Sequence, residues 1–120
     1  MDYRSTPPTS GDHWARWVDC GWYPDGLPDE VITHNLEHSN IVVSYNFTNP
    51  AQVTELRQAL EGVSQFGEWG VARSYDDISD GQVVLSAWGH RHVMDGVRAG
   101  EIGLFFETYA GNTGPERIAC

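Results

Sequence analysis

Three histidines and one glutamate near the start of the chain have the types and spacing that metal chemistry needs. His34 and His38 stand four residues apart in His34-Asn35-Leu36-Glu37-His38. On a helix such residues share one face, so two imidazole nitrogens can reach one ion. Glu37 lies about 100° round that helix from His38, placed to act as a general acid/base or to orient a ligand from behind. Two ligands make a poor site. His13 follows the turn Thr9-Ser10-Gly11, and a stiff loop suits a third nitrogen brought in from outside the helix. Three neutral imidazoles leave coordination positions open, which fits catalysis better than a closed structural site. Imidazole donors favour copper, with zinc next.

The remaining candidates are weaker. A single histidine more often serves as a surface or hydrogen-bonded group than as a ligand. His90 and His92 flank Arg91 just after Trp88, where a turn is expected, and read as ordinary polar residues. Met94 and Cys20 are soft donors that would strengthen the preference for copper. The string His34-Asn35-Leu36-Glu37-His38 also fits the H-x-x-E-H pattern of inverzincin peptidases. Those enzymes carry it on a longer helix in a much larger chain with a distant carboxylate ligand, whereas here a strand begins at Ile41. There is no Ser-His-Asp pattern, phosphate-cradling glycine loop or dinucleotide fingerprint.

The elements that must position these groups follow from local chemistry. Residues 1–30 are rich in proline, glycine and aromatics without a sustained period, and Pro7-Pro8-Thr9-Ser10-Gly11 is turn chemistry. Trp14, Trp17, Trp22 and Tyr23 make this stretch too apolar for a disordered tail, so it reads as an ordered loop wrapped on the core. Asp29-Glu30 places acids at the start of a short helix running through Val31, Ile32 and Leu36 to His38. Ile41 to Phe47, β-branched and aromatic, is the clearest strand. Asn49-Pro50 opens a helix through Val53, Leu56, Leu60 and Val63 that Gly62 ends. Trp69 to Ser74 and Gln82 to Trp88 read as strands joined by the acidic turn at Asp76-Asp77 and Asp80. Ala99 to Ala110 reads as a last helix, although Gly100 and Gly103 inside it each cost about 1 kcal/mol against alanine. The expected fold is therefore α+β, one compact domain over residues 1–120. Its small, mainly antiparallel sheet carries two to three helices and the long N-terminal loop.

Composition removes whole classes of function. Seventeen acidic residues against seven basic ones, all arginine, give a net charge of −10, which repels nucleic-acid phosphates. A DNA mimic needs regularly spaced acids over a long surface, and the dense acids here form one turn. No apolar run approaches the ~20 residues of a membrane span. Met1-Asp2-Tyr3-Arg4 lacks a secretory pattern, so the expected location is cytoplasmic, or extracytoplasmic if a leader has been lost. Cys20 and Cys120 lack any metal-site spacing, and Cys120 stands where a mobile tail is expected. Two free thiols are the favoured reading, with one bridge the alternative. Asn46-Phe47-Thr48 matches the glycosylation triplet, which matters only in a eukaryotic secretory protein. A homodimer is compatible with so aromatic a chain.

Taken in order, Tyr3, Pro7-Pro8-Thr9-Ser10-Gly11-Asp12-His13 and His34-Asn35-Leu36-Glu37-His38 lead into a β-run to Tyr45-Asn46. Ala87-Trp88-Gly89, Tyr109-Ala110-Gly111 and Gly114-Pro115-Glu116-Arg117 follow. This succession resembles the bacterial domain-of-unknown-function 3105 family across nearly the whole chain. The family hallmarks fall on His13, His34, Glu37 and His38, so the resemblance implies that these residues act together. Its members are mostly extracytoplasmic, and this chain departs from them in lacking a visible signal. Asp12 stands where proline is usual, and Ser39 where glycine is usual. The resemblance brings no known reaction. The functional expectation is a copper- or zinc-binding three-histidine protein: a small metalloenzyme with Glu37 as acid/base, acting on an apolar small molecule such as one of a natural-product pathway. The alternatives are a non-catalytic copper carrier and an interaction domain whose histidines only hydrogen-bond.

Overall fold

The β-branched run Ile41–Tyr45 forms strand β2, buried along its whole length, because it has neighbours on both sides and covered faces above and below. The computed structural model describes residues 3–120. Before β2 come the short strand β1 (Gly21–Tyr23) and helix α1 (Asp29–Glu37). After it come α2 (Pro50–Glu61), the single-turn α3 (Phe66–Trp69) and β3 (Gly70–Ser74). Strands β4 (Gln82–Ala87) and β5 (His90–Asp95) and helix α4 (Ala99–Tyr109) complete the order. The five strands make one sheet in the order β1-β3-β2-β4-β5.

The fold is α+β as expected, with four helices among the described residues. The sheet is mixed rather than mainly antiparallel. β3 runs parallel to both β1 and β2, while β4 pairs antiparallel with β2 and with β5. The acidic turn joins β3 to β4, yet these are not partners, because β2 lies between them. The reason lies in the connections: a helix between strands is a crossover, and crossovers join parallel strands. From β1 to β2 the chain steps over β3 through α1. From β2 to β3 it steps back through α2. Crossovers of one hand that step in opposite directions put their helices on opposite faces.

The two core clusters record that separation. On one face Ile41, Val43 and Tyr45 pack with Leu56 and Leu60 of α2 and with Ile102, Phe105 and Phe106 of α4. On the other, Val42 and Val71 pack with Ile32 and Leu36 of α1. Alternation along β2 thus serves both layers. The cap expected at Asn49 forms, its side chain accepting from the Ala51 amide at 2.9 Å. Met94 is 2% exposed within the α2–α4 core, so its thioether serves packing and is no ligand.

Two expectations give way on closer geometry. His90 and His92 belong to β5 rather than to a turn: the turn is at Trp88-Gly89, and both histidines then engage α4. His90 stacks on Tyr109 with centroids 4.3 Å apart, and His92 pairs with Glu101 at 2.7 Å. That contact with His92 holds the Glu101 carboxyl below its ordinary value. Cys20 and Cys120 are joined in a disulfide, which also removes Cys20 as a metal donor. The closing segment is not a mobile tail. Its backbone is pinned where Ile118 N donates to His38 O at 3.0 Å and Cys120 N to Glu68 O at 2.8 Å.

The start of α1 rests on a buried cation. Arg73 of β3 has no exposed surface. Its guanidinium donates to Asp29 Oδ1 at 2.8 Å, to Leu27 O at 2.9 Å and to Ser44 Oγ at 2.9 Å. Tyr75 closes the group, its ring under the guanidinium at 3.9 Å and its hydroxyl donating to Asp29 Oδ2 at 3.1 Å. Burial, with the Asp29 charge adding, pushes the Tyr75 phenol well above its ordinary value. Losing one partner of such a pair leaves the other charge poorly compensated. Arg73→Ala is therefore expected to lower unfolding free energy by about 3 kcal/mol, read by denaturant titration. A loss under about 1 kcal/mol would contradict this account of how α1 is anchored.

Candidate metal centre

Helix α1 is nine residues long, too short to persist alone in water, so tertiary contacts must hold its last turn. They come from both ends of the chain. On one side the N-terminal loop is fastened to it: Trp14 N donates to Glu30 O at 3.1 Å. Asn35 is fully buried and takes the backbone of Val18 by both groups. Its Oδ1 accepts from Val18 N at 3.0 Å and its Nδ2 donates to Val18 O at 2.8 Å. Nearer the start, the Tyr3 hydroxyl donates to Asp12 O at 2.5 Å, while Gly89 N donates to Thr9 O at 2.8 Å. The loop that carries His13 is thus tied to α1 and to the β4–β5 turn.

On the other side the closing segment runs past the end of α1. Glu116 N donates to Glu37 O at 3.0 Å, and Asn40 Nδ2 donates to Ile118 O at 2.9 Å. The first contact satisfies a carbonyl that a helix C-terminus leaves unpaired, and the second ties the closing segment to the residue that follows the helix. Two residues make the approach fit. A Cβ on Gly114 would collide with the Glu37 and Leu36 carbonyls. Ser39 has φ +70°, in the left-handed region that favours glycine. Its hydroxyl helps to hold that conformation, donating to Glu116 O at 2.5 Å and accepting from Gly114 N at 2.9 Å.

These fastenings bring His13, His34 and Glu37 together, with ligand-type atoms of all three within 4.8 Å of one another. His13 Nε2 lies 2.5 Å from Glu37 Oε2, and both side chains are 23% exposed. A carbonyl can only accept, so both Nδ1 contacts fix a proton. His34 Nδ1 donates to Trp14 O at 2.8 Å and His13 Nδ1 donates to Gly11 O at 3.2 Å. In a neutral ring that leaves the His34 Nε2 lone pair directed away from the backbone, while His13 Nε2, facing Glu37 Oε2, donates to that carboxylate.

His38 stands outside that three-residue group but in contact with it, its ring centroid 4.5 Å from that of His34. The side chain is buried, and its Nδ1 has no hydrogen-bond partner among the described residues. The Trp17 ring meets it edge-on at 5.2 Å. Burial, with the His34 charge adding, lowers the His38 pKa from 6.5, so the ring is neutral near pH 7 and its nitrogen can donate to a metal. The whole group sits at the C-terminal end of α1, where the helix dipole favours positive charge.

The expected residues are therefore neighbours, with one difference in detail. The tightest three are two histidines and Glu37, with His38 behind His34. Of the residues that hold the site, Asn35 and Asn40 carried no assigned role in the sequence, while Ser39 and Gly114 were marked only by the family resemblance. A polar Asn35 beside Leu36 in a helix was the available signal, since asparagine is a poor helix former that competes for backbone bonds. The centre is a histidine–carboxylate cluster on an α+β domain. Over residues 1–120 the chain matches the family described as protein of unknown function (DUF3105), and it belongs to that family. No curated protein and no solved structure matches it.

Two outcomes follow. Asn35→Ala strands both backbone groups of Val18 and is expected to cost about 2 kcal/mol, with faster hydrogen exchange at the Val18 amide; unchanged exchange there would refute the clasp. Below pH 6.5 an unfolded His38 takes up a proton that the folded one resists. Stability of the metal-free protein then falls as pH drops below 6.5, where the unfolded state binds more protons. Thermal melts at pH 7.5 and 5.5 should show a smaller acid loss in His38→Gln than in wild type, and equal losses would contradict the assignment.

Proposed function

We propose that His13, His34 and His38, with Glu37, bind one transition-metal ion, copper in preference to zinc, in a small metal-dependent enzyme acting on an apolar small molecule. The observation that carries this reading is the anchoring of the His13 and His34 Nδ1 atoms on the Gly11 and Trp14 carbonyls. Metal-ligating histidines are oriented in this way, through the nitrogen that does not bind. The buried Nδ1 of His38, without a partner among the described residues, supports it too, because such an atom costs free energy unless something pairs with it. A bound ion would supply Lewis acidity or, as copper, electron transfer. Imidazole donors fit copper and zinc, and copper stands higher in the general affinity order.

Trp14 and Trp17, 47% and 38% exposed, flank the histidines and offer apolar surface to a substrate. Glu37 is the acid/base candidate. Its closeness to His13 favours one alternative: if Glu37 ligates instead, three histidines and a carboxylate fill four positions, as in a closed, non-catalytic site. That is the copper-carrier reading. The disulfide suits an oxidising compartment, which favours an extracytoplasmic location over a cytoplasmic one. Among the described residues no helix is long and apolar enough to cross a membrane.

Metal analysis by inductively coupled plasma mass spectrometry tests the reading. The wild-type protein, after reconstitution, should hold one equivalent of copper or zinc. The His13→Ala/His34→Ala/His38→Ala variant should hold none while keeping its fold by circular dichroism. Metal retained by the folded variant, or none in either protein, would sink the proposal.

A further inference from the structure

We propose that the Cys20–Cys120 bridge controls metal loading, so that the centre reaches full affinity only when the bridge is closed. The inference rests on the reading of His13, His34, Glu37 and His38 as a metal site. Its basis is the path of the two segments that the bridge joins. The closing segment supplies the amides that hold the main-chain carbonyls of Glu37 and His38, through Glu116 N and Ile118 N, each at 3.0 Å. Two residues beyond Ile118, Cys120 is bonded to Cys20, with Cα atoms 4.8 Å apart. Cys20 in turn lies two residues beyond Val18, whose backbone Asn35 grips between His34 and Glu37 in sequence. Upstream of Val18 are Trp17 against His38, Trp14 under His34, and His13 itself.

The bridge therefore links the segment that presents His13 to the segment that supports Glu37 and His38, with α1 between them. It does so across a sequence separation of 100 residues, so it restrains a very long loop. Opened, the closing segment loses its covalent fastening at Cys120 and is left on a few backbone hydrogen bonds, which open locally far more readily than the sheet does. The carbonyls of Glu37 and His38 then lose their partners, the last turn of α1 loosens, and the donor atoms no longer converge.

The step is ordinary thiol–disulfide exchange. Both cysteines are partly exposed, so a thiolate of a dithiol reductant can attack one sulfur, breaking the Cys20–Cys120 bond and forming a mixed disulfide. The reductant's second thiol displaces the remaining cysteine. Two electrons and two protons pass to Cys20 and Cys120, and the reductant leaves as its own disulfide. Linkage makes the control reciprocal: a closed bridge raises metal affinity by the same factor by which bound metal favours the closed bridge. A chain held reduced would load poorly, and loading would follow oxidation.

Zinc is the probe, since it does not oxidise thiols. Its affinity is measured by competition with a chromophoric chelator, for the disulfide-bonded protein and for Cys20→Ser/Cys120→Ser, which also removes the thiols as stray ligands. The variant is expected to bind at least about tenfold more weakly. The Glu116 and Ile118 amides should exchange faster while Val42 and Val43 in the central strand stay protected. Equal affinities in a folded variant would overturn the control and leave the metal site standing. Should Val42 and Val43 lose protection, the wild type decides. Its bridge is equilibrated in glutathione buffers with and without saturating free zinc, and zinc should shift the equilibrium towards the closed form by at least about tenfold. No shift in a protein that binds zinc overturns the proposal. Failure of the disulfide-bonded protein to bind zinc or copper removes the metal site itself, and the control with it.

Discussion

Asn35 holds the Val18 backbone by both its amide and its carbonyl, and nearly everything at the candidate centre depends on that clasp. A nine-residue helix gains little from its own hydrogen bonds. Its last turn is ordered because a buried side chain ties it to a loop and because a second segment covers its carbonyls. Asn35 also reaches Asn40 Oδ1 at 2.9 Å, and Asn40 reaches Ile118 O. One continuous chain of buried amides thus connects the N-terminal loop, the end of α1 and the closing segment. Such networks are rigid when fully satisfied.

Topology explains why those three pieces meet on one face. Among the described residues, opposed crossovers leave α1 as the one helix over the Val42–Val71 side of the sheet, while α2 and α4 fill the other. A lone helix leaves room beside it, and the N-terminal loop and the closing segment occupy that room. Arg73 fixes the start of α1 from beneath through Asp29, and the closing segment fixes its end. The histidines are therefore held by a scaffold that is stiff at both ends of the helix. That condition keeps ligand geometry from drifting.

Much of this was legible in the sequence, for identifiable reasons. The β-branched run at Ile41, the Asn49-Pro50 helix start and the acids at Asp29-Glu30 are local signals, and each produced the element it announces. His34 and His38 were legible because helical spacing is short-range. Other features were not, because their causes are distant. The three residues of β1 become a strand only by pairing with β3. The order of β2 and β3 is set by crossovers rather than by the turn between β3 and β4. Cys120 looked like a free end because nothing in its neighbours announces the Cys20 and Glu68 partners. The resemblance to the family marked Ser39 as a place for glycine, and the positive φ there supplies the physical reason. It also marked Gly114, whose lack of a side chain lets the closing segment reach the Glu37 carbonyl.

The most direct measurement is a crystal structure of the disulfide-bonded protein grown with zinc or copper, with anomalous diffraction recorded at the metal edge. The account predicts one strong anomalous peak at the C-terminal end of α1, within bonding distance of the His13 and His34 Nε2 atoms, with His13 moved off its direct contact with Glu37. Donation from His38 would appear in the same map. A peak at His92 and Glu101 instead, or an unaltered His13–Glu37 pair with no metal beside it, would contradict the account.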